Sequence, residues 1–297
     1  MIDLHIHTTF SDGTKTVVDT LKEANNARLS LISVTDHNVI DAYTMLNQKV
    51  TREEFDGKII TGVELTTSLD NEIVEILGYG FDVDRMKENM TGNILTFKEY
   101  KIKEYELTIE TYRNRGIKID ENNIKFSPDR ESCREHILKE CARYPENIER
   151  LLDKGSLKSV GRFSRNEFYN PESDFFVNLS VHYPSFQETI DMIHNAGGYA
   201  FFAHPFVYSS NITTKMQSVI DKYNLDGIEC YYYSFTKEQT EHLLELCSKN
   251  NLLISGGSDY RGNDTIRKGV ELGKGRGDLK VNEKQCEIWT SKLKDYR

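Results

Sequence analysis

The sequence predicts an α/β protein with parallel strands and an inserted helical segment. Apolar segments typical of strands alternate with segments of helical spacing over residues 1–95 and 171–297, an order that indicates parallel strands covered by helices. Residues 96–170 instead combine helical spacing with many Lys, Glu, Arg and Tyr residues. We therefore expect one α/β domain, formed by the two outer segments, with a helical subdomain inserted at 96–170.

The first predicted strand, residues 2–7, carries two candidate metal ligands. Apolar and polar residues alternate here, so His5 and His7 point to the same face of the strand. Asp12 follows in a Ser-Asp-Gly turn and offers a carboxylate to the same site. Imidazole and carboxylate are ligands for Zn, Mn and Fe ions. The same pattern is also compatible with an edge strand that carries two incidental histidines.

The next elements bring further polar residues to strand ends. Asp36 and His37 follow an apolar strand, Glu64 lies at the end of another, and Glu75 lies in the strand that returns from a turn at residues 70–71. The predicted strands of this part are residues 31–35, 58–65 and 72–79, and the predicted helices are residues 16–28 and 42–55.

The alternation resumes after residue 184. Ser185 can cap a helix that runs to residue 193, and His204 and Asp259 each follow a strand. The predicted strands are residues 199–203, 227–232 and 252–255, with helices at 216–223, at 237–250 and beyond 282. Functional groups of parallel sheets collect at the carboxyl ends of the strands. Five predicted strands each carry residues of metal-ligand type at this end, and we therefore expect a metal centre there.

Charge and cysteine content narrow the class of protein. The net charge of −9 makes binding to long nucleic acid unexpected, whereas a small anionic substrate remains compatible. The five cysteines are widely spaced, which predicts reduced thiols in a cytoplasmic protein. No apolar run approaches about 18 residues, so we expect no membrane span. The oligomeric state stays open.

The motifs, in order, resemble those of the PHP (polymerase and histidinol phosphatase) family. They are H-x-H, S-D-G, T-D-H-N, G-V-E, A-H-P and G-S-D. The resemblance implies a distorted (β/α)7 TIM-like barrel, two or three divalent ions (Mn, Fe or Zn), and phosphoester hydrolysis. Segments 76–80, 134–136 and 196–198 resemble one branch of the family, the nucleoside 3′,5′-bisphosphate phosphatases and short-RNA 5′ exonucleases.

The resemblance also implies roles for individual residues. Arg134 and His136 are the implied contacts to substrate phosphate. Beyond the resemblance, we expect Asp259, His37 and Arg261 to act in catalysis and Arg261 to contact the phosphate as well. The expected metal ligands are His5, His7, Glu64 and Asp259 for one ion, Glu64, Glu75 and His204 for a second, and Asp12 and His37 for a third.

Two positions depart from the family pattern, which has a histidine where this chain has Arg261 and, in this branch, where it has Glu75. A guanidinium stays protonated and is no ordinary metal ligand, so we expect the third site to be empty or weak. Arg261 would instead grip a phosphate through two donors. Glu75 adds a hard oxygen ligand, which favours Mn or Fe over Zn.

The expected activity is metal-dependent hydrolysis of a phosphomonoester by metal-activated hydroxide. The expected substrate is small, a nucleotide or a short oligonucleotide end. Asp259 is a possible proton acceptor, and His37 or water would protonate the leaving group. Two alternatives stay open, a histidinol-phosphate-type phosphatase and a metal-binding regulatory module without catalysis.

Overall fold

The computed structural model describes residues 1–47, 53–128, 132–262 and 268–296, which form two compact units. The first unit comprises Met1–Leu69, Val74–Ile94 and Pro184–Arg297. The second comprises Asp70–Ile73 and Leu95–Tyr183. The predicted insertion at 96–170 lies within the second unit, which continues to Tyr183.

The described residues form one seven-stranded sheet whose strands are ordered as in the sequence. β1 pairs with β2 and β2 with β3 in parallel, and so do β5 with β6 and β6 with β7. A parallel bridge between Ile6 and Tyr260 brings β1 beside the end of β7, which nearly closes the sheet into the expected barrel. The strands are β1 Ile2–Ile6, β2 Leu31–Val34, β3 Lys58–Leu69, β4 Glu72–Tyr79, β5 Tyr199–Phe202, β6 Gly227–Tyr232 and β7 Leu253–Gly257.

β4 departs from the parallel arrangement predicted for the strands, because it pairs antiparallel with β5. Asp70 and Asn71 both have positive φ (49° and 66°), a backbone conformation that suits a tight two-residue turn. The chain therefore reverses after β3 without a crossover helix. As a result, the first half of β4 lies at the edge of the sheet where the parallel strands end.

Most helices of the first unit agree with the sequence pattern, but the helices Val83–Met90 and Ser210–Thr213 were not predicted, and residues 42–55 differ from the prediction. There the helix is only Ala42–Leu46, and residues 48–52 lie outside the described chain. Thr16, Ser185 and Thr236 cap three of the helices by accepting a backbone N–H with their hydroxyls. Besides Ala42–Leu46, the α-helices described in this unit are Val17–Asn26, Val83–Met90, Phe186–Asn195, Ser210–Thr213, Met216–Lys222, Lys237–Asn250 and Glu283–Thr290.

The C-terminal helix packs on the sheet through Trp289. Its indole lies against the rings of Tyr79 and Phe201, at centroid distances of 5.3 and 4.8 Å, and its N–H donates to the carbonyl of Ile254 at 2.9 Å. Burial of these large rings fixes the last helix against β4, β5 and β7.

The second unit folds around an apolar cluster of its own. Tyr112 and Phe175 are buried there with their rings edge to face at 5.5 Å. Buried Glu167 accepts hydrogen bonds from Ser156 and Ser173, at 3.0 and 2.6 Å. Its α-helices are Phe97–Asn114, Arg134–Cys141, Pro145–Glu149 and Val160–Phe163. None of the helices in the described parts of the chain is long and apolar enough to cross a bilayer.

Candidate metal centre

Two histidines of β1 and a glutamate of β3 meet at the centre of the site. The Nε2 atoms of His5 and His7 lie 3.1 Å apart, and each lies 3.2 Å from Oε2 of Glu64. All three side chains are completely buried. Two imidazole nitrogens that face each other at this distance can share one proton at most, so a cation suits the space between them.

Asp259 completes this set from the loop after β7. Its Oδ1 lies 3.0 Å from Nε2 of His7 and 3.7 Å from Nε2 of His5, and its Oδ2 accepts from the hydroxyl of Tyr232 at 2.7 Å. A Cβ at Gly257 would meet the backbone N of His5 at 2.4 Å. Only glycine therefore allows β7 to come close enough to β1 for Asp259 to reach the histidines.

The spacing of these four donor atoms fits a metal ion. Five of their pairwise distances lie between 3.0 and 3.7 Å, and a tetrahedral ion with bonds of 2.0–2.1 Å holds its ligands about 3.4 Å apart. In addition, Oε2 of Glu64 is buried and no hydrogen bond of good geometry reaches it, although imidazole nitrogens lie 3.1–3.2 Å away. A buried carboxylate oxygen without a partner is costly unless a cation faces it.

The other oxygen of Glu64 faces a second set of donors. Its Oε1 lies 2.8 Å from Nε2 of His204, which is also 3.4 Å from Oε2 of Glu75. His37 instead lies on the side of the first oxygen, because its Nδ1 is 3.1 Å from Oε2 of Glu64, and it is also 3.4 Å from Oε1 of Glu75. Glu75 reaches this edge because β4 is antiparallel. The two oxygens of Glu64 thus face different imidazoles, which is the arrangement of a bridging carboxylate.

Glu229 on β6 belongs to the site although the motifs did not single it out. It is completely buried, with Oε1 2.9 Å from Nδ1 of His5 and Oε2 accepting from the backbone N of His204 at 2.9 Å. A carboxylate behind an imidazole fixes the orientation of the ring and which nitrogen faces the metal. The signal in the sequence was a charged residue in the middle of an apolar strand.

Arg261 lies where the resemblance places a third ion. Its Nε is 3.1 Å from Oδ1 of Asp259, its Nη2 is 3.0 Å from Nε2 of His37, and its Nη1 contacts the carboxylate of Asp12. The guanidinium is 7% exposed. The structure therefore brings all eight predicted ligands into one cluster, and Arg261 lies in the same cluster.

The charges of the cluster shift the pKa values of its members. Burial alone would lower the pKa of His5, but Glu64, Glu229 and Asp259 outweigh it and raise that pKa well above its ordinary value. The pKa of His204 likewise rises to about 9 against the effect of burial, chiefly through Glu64. The pKa of Asp259 falls to about 2, because nearby His5 and His7 outweigh the opposing effect of burial.

The net charge of the cluster also fits cations. Five carboxylates lie within 4 Å of its imidazoles, and Arg261 supplies a single positive charge, which leaves four negative charges when the histidines are neutral. Two divalent cations would balance them. The carboxylates are those of Asp12, Glu64, Glu75, Glu229 and Asp259.

The two predicted phosphate contacts in the insertion belong to the second unit. Nε of Arg134 forms an ion pair with buried Glu104 at 2.9 Å, and its Nη1 donates to the hydroxyl of Tyr169 at 2.6 Å. His136 lies two residues further along the same helix and is partly buried. The structure shows Arg134 with partners inside its own unit, so its contact with substrate stays a prediction.

Residues 3–236 match the family model described as the PHP domain. The chain belongs to the PHP domain family. The match includes every predicted site residue except Asp259 and Arg261, which follow it in the sequence. The family assigned from the motifs is therefore confirmed.

Similar proteins of this family cover most of the chain. A 5′-3′ exoribonuclease of Haemophilus influenzae is 26% identical over 87% of this chain and 89% of its own length. A 3′,5′-nucleoside bisphosphate phosphatase of Chromobacterium violaceum is 24% identical over 87% of this chain and 86% of its own. A solved structure from Bifidobacterium adolescentis, assigned as a metal-dependent phosphoesterase, has a TM-score of 0.63 at 20% identity and covers 99% of this chain and 96% of its own. It supports the fold.

Proposed function

We propose that this PHP-family protein is a metal-dependent phosphoesterase that hydrolyses a phosphomonoester on a nucleotide or a short oligonucleotide end. The observation that carries the proposal is the position of Glu64, whose two carboxylate oxygens face separate sets of buried imidazoles. The relatives named for a bisphosphate phosphatase and an exoribonuclease support the substrate class.

The donor sets assign residues to two cations. His5, His7, Glu64 and Asp259 would hold the first, and His204, Glu75 and the other oxygen of Glu64 the second. When bound, such a pair lowers the pKa of water to about 7 and stabilises charge on the phosphoryl oxygens. Glu229 fixes the ring of His5 and the backbone of His204, and therefore positions ligands of both cations.

Arg261 would take the place of a third cation. Its guanidinium can only donate, so Nε2 of His37 must accept the hydrogen bond between them and the proton of that imidazole lies on Nδ1, which faces Glu64 and Glu75. In this tautomer His37 has no free nitrogen lone pair for a metal. Because its remaining N–H is directed at Glu64 and Glu75, water is favoured over His37 as the proton donor to the leaving group.

The substrate phosphate would meet fixed positive charge as well as the two cations. Arg261 is held by the carboxylates of Asp12 and Asp259, so little side-chain entropy remains to be lost when it binds an anion. Arg134 and His136 remain predicted phosphate contacts on the strength of the family resemblance.

We also propose a cytoplasmic location, because all five cysteines are buried free thiols.

Phosphate release tests the proposed function. The protein loaded with Mn would be assayed against a nucleoside 3′,5′-bisphosphate, a 5′-phosphorylated short RNA, histidinol phosphate and a sugar phosphate. We expect the two nucleotide substrates to give the highest kcat/KM. Preference for histidinol phosphate would contradict the substrate class. Bound metal without phosphate release from any substrate would contradict catalysis and favour a metal-binding regulatory module.

A further inference from the structure

We infer that a cavity beside the metal centre binds the aromatic base of the nucleotide substrate. The cavity lies in the first unit, between the end of β6 and the helix Lys237–Asn250, and has a volume of about 380 Å³. Pockets of this size accept small ligands. The inference rests on the proposed function, because it assigns a base subsite to the same substrate.

Aromatic rings form one wall of the cavity. Tyr231, Tyr232, Tyr233 and Phe235 line it together. The ring of Tyr232 lies 4.7 Å from that of Tyr233 and 5.1 Å from that of Phe235, centroid to centroid. Tyr233 and Phe235 are only partly buried, so their rings are accessible from the cavity. Such a set of rings is a stacking surface for any nucleobase.

Tyr232 joins this wall to the metal centre. Its hydroxyl donates to Oδ2 of Asp259 at 2.7 Å, and its ring lies 5.0 Å from the ring of His204. The same side chain lines the cavity. Tyr232 therefore contacts both the cavity and the cluster, and a nucleotide with its phosphate at the cluster would reach the cavity past this side chain.

The charge of the lining suits a base rather than a phosphate. Lys237 and Lys280 are balanced by Glu241 and Asp278 in the lining, and Lys237 lies 3.5 Å from Glu241 in an ion pair. The cavity thus has no net charge, whereas a phosphate site needs an excess of positive charge. Arg276 lies over the ring of Tyr233 at 5.2 Å and places a cation beside this neutral cavity.

Binding measurements with the Mn-loaded protein test the base subsite without requiring turnover. The probes are adenosine 5′-monophosphate and ribose 5-phosphate, which differ by the base, and the readout is titration calorimetry. We expect the nucleotide to bind more tightly. Tyr233→Leu should weaken its binding by about 5- to 150-fold, the range for loss of one base–aromatic stack, while the affinity for ribose 5-phosphate changes less than twofold.

Two further variants keep the test decisive. Tyr233→Phe retains the ring and should retain nucleotide affinity, whereas Thr240→Trp fills the cavity from the helix side and should lower it. Equal affinity for the two probes, or nucleotide affinity unchanged by both Tyr233→Leu and Thr240→Trp, would overturn the inference. If nucleotide binding responds as expected but no phosphate is released from any substrate, the base subsite stands and the proposed function fails.

Discussion

Nη2 of Arg261 lies 3.0 Å from Nε2 of His37, in the space between the carboxylates of Asp12 and Asp259. A permanently protonated side chain thus occupies a position that the resemblance assigns to a metal ion. The guanidinium contacts both Asp12 and His37, the two residues that would hold that ion. Arg261 therefore decides how many cations this cluster can bind.

The first prediction concerns metal content. Arg261→His should raise the content from about two ions per chain to about three, because it replaces a cation with a neutral ligand and frees Asp12 and His37. Elemental analysis of the purified protein measures this. Arg261→Lys is the matched control, since it keeps the positive charge and should keep about two ions. An unchanged count in Arg261→His would contradict the assignment.

A second prediction concerns the bridging carboxylate. Glu64→Gln leaves a single carbonyl oxygen and removes a negative charge, so both donor sets lose a shared ligand. We expect loss of at least one ion per chain and a fall in phosphate release of at least about 100-fold. Glu245→Gln, on an exposed helix position of the same unit, controls for the loss of a carboxylate. Retention of metal and activity by Glu64→Gln would remove Glu64 from the site.

Glu229 should act through the ligands that it orients. Glu229→Gln weakens the hold on Nδ1 of His5, and we expect metal affinity to fall by about 10- to 100-fold while the metal count at saturation is kept. Competition with a chelator measures the affinity. Glu287→Gln, at an exposed position, should bind metal as the wild type does. Equal affinities for wild type and Glu229→Gln would show that Glu229 does not orient the ligands.

Metal binding should release protons near neutral pH. In the metal-free protein, neighbouring carboxylates raise the pKa of His5 well above its ordinary value and that of His204 to about 9, so both imidazoles are protonated at pH 7. A metal ligand must give up its proton. Affinity should therefore increase as the pH rises towards 9. Calorimetry in two buffers of different ionisation enthalpy counts the released protons, and a count of zero would contradict this prediction.

Outside the site, we expect the ion pair between His194 and Asp226 to make a pH-dependent contribution to the free energy of unfolding. The hydrogen bond to Asp226, at 2.7 Å, raises the pKa of His194 above its ordinary value of 6.5. The contribution is therefore complete below pH 6.5 and is lost as the pH rises through the higher pKa of the folded state. Because both side chains are about a quarter exposed, we expect no more than about 1 kcal/mol.

Urea unfolding as a function of pH measures this contribution. Asp226→Asn should remove its pH dependence, and its carbonyl can still accept the backbone N–H of Ala200, which now donates to Asp226 at 2.7 Å. An Asp226→Asn variant with the same pH profile as the wild type would refute the assignment.

Several features of this protein could be read from the residues alone. The alternation around His5 and His7 placed both imidazoles on one face of a strand, because side-chain direction in a strand has a period of two. The predicted cap Ser185 stands where the helix Phe186–Asn195 begins, because its hydroxyl satisfies a free N–H group locally. Such features depend on near neighbours in the chain.

The features that were missed depend on distant parts of the chain. The residues predicted a turn at 70–71 and a returning strand, but a pattern of alternating elements does not give strand pairing, so the antiparallel pairing of β4 with β5 and the route by which Glu75 enters the cluster were unknown. Glu229 carried no motif, and its role became visible only when folding placed it behind His5, 224 residues away in sequence.

By itself, the sequence determined the family, the alternation of elements and the residue types that meet at the strand ends. The tertiary structure alone decided that Glu64 turns its two oxygens to different imidazoles, and that Arg261 donates to His37. The physical reason is that ligand geometry and proton position depend on distances of a few ångströms between side chains from separate strands, and only the closing of the barrel sets those distances.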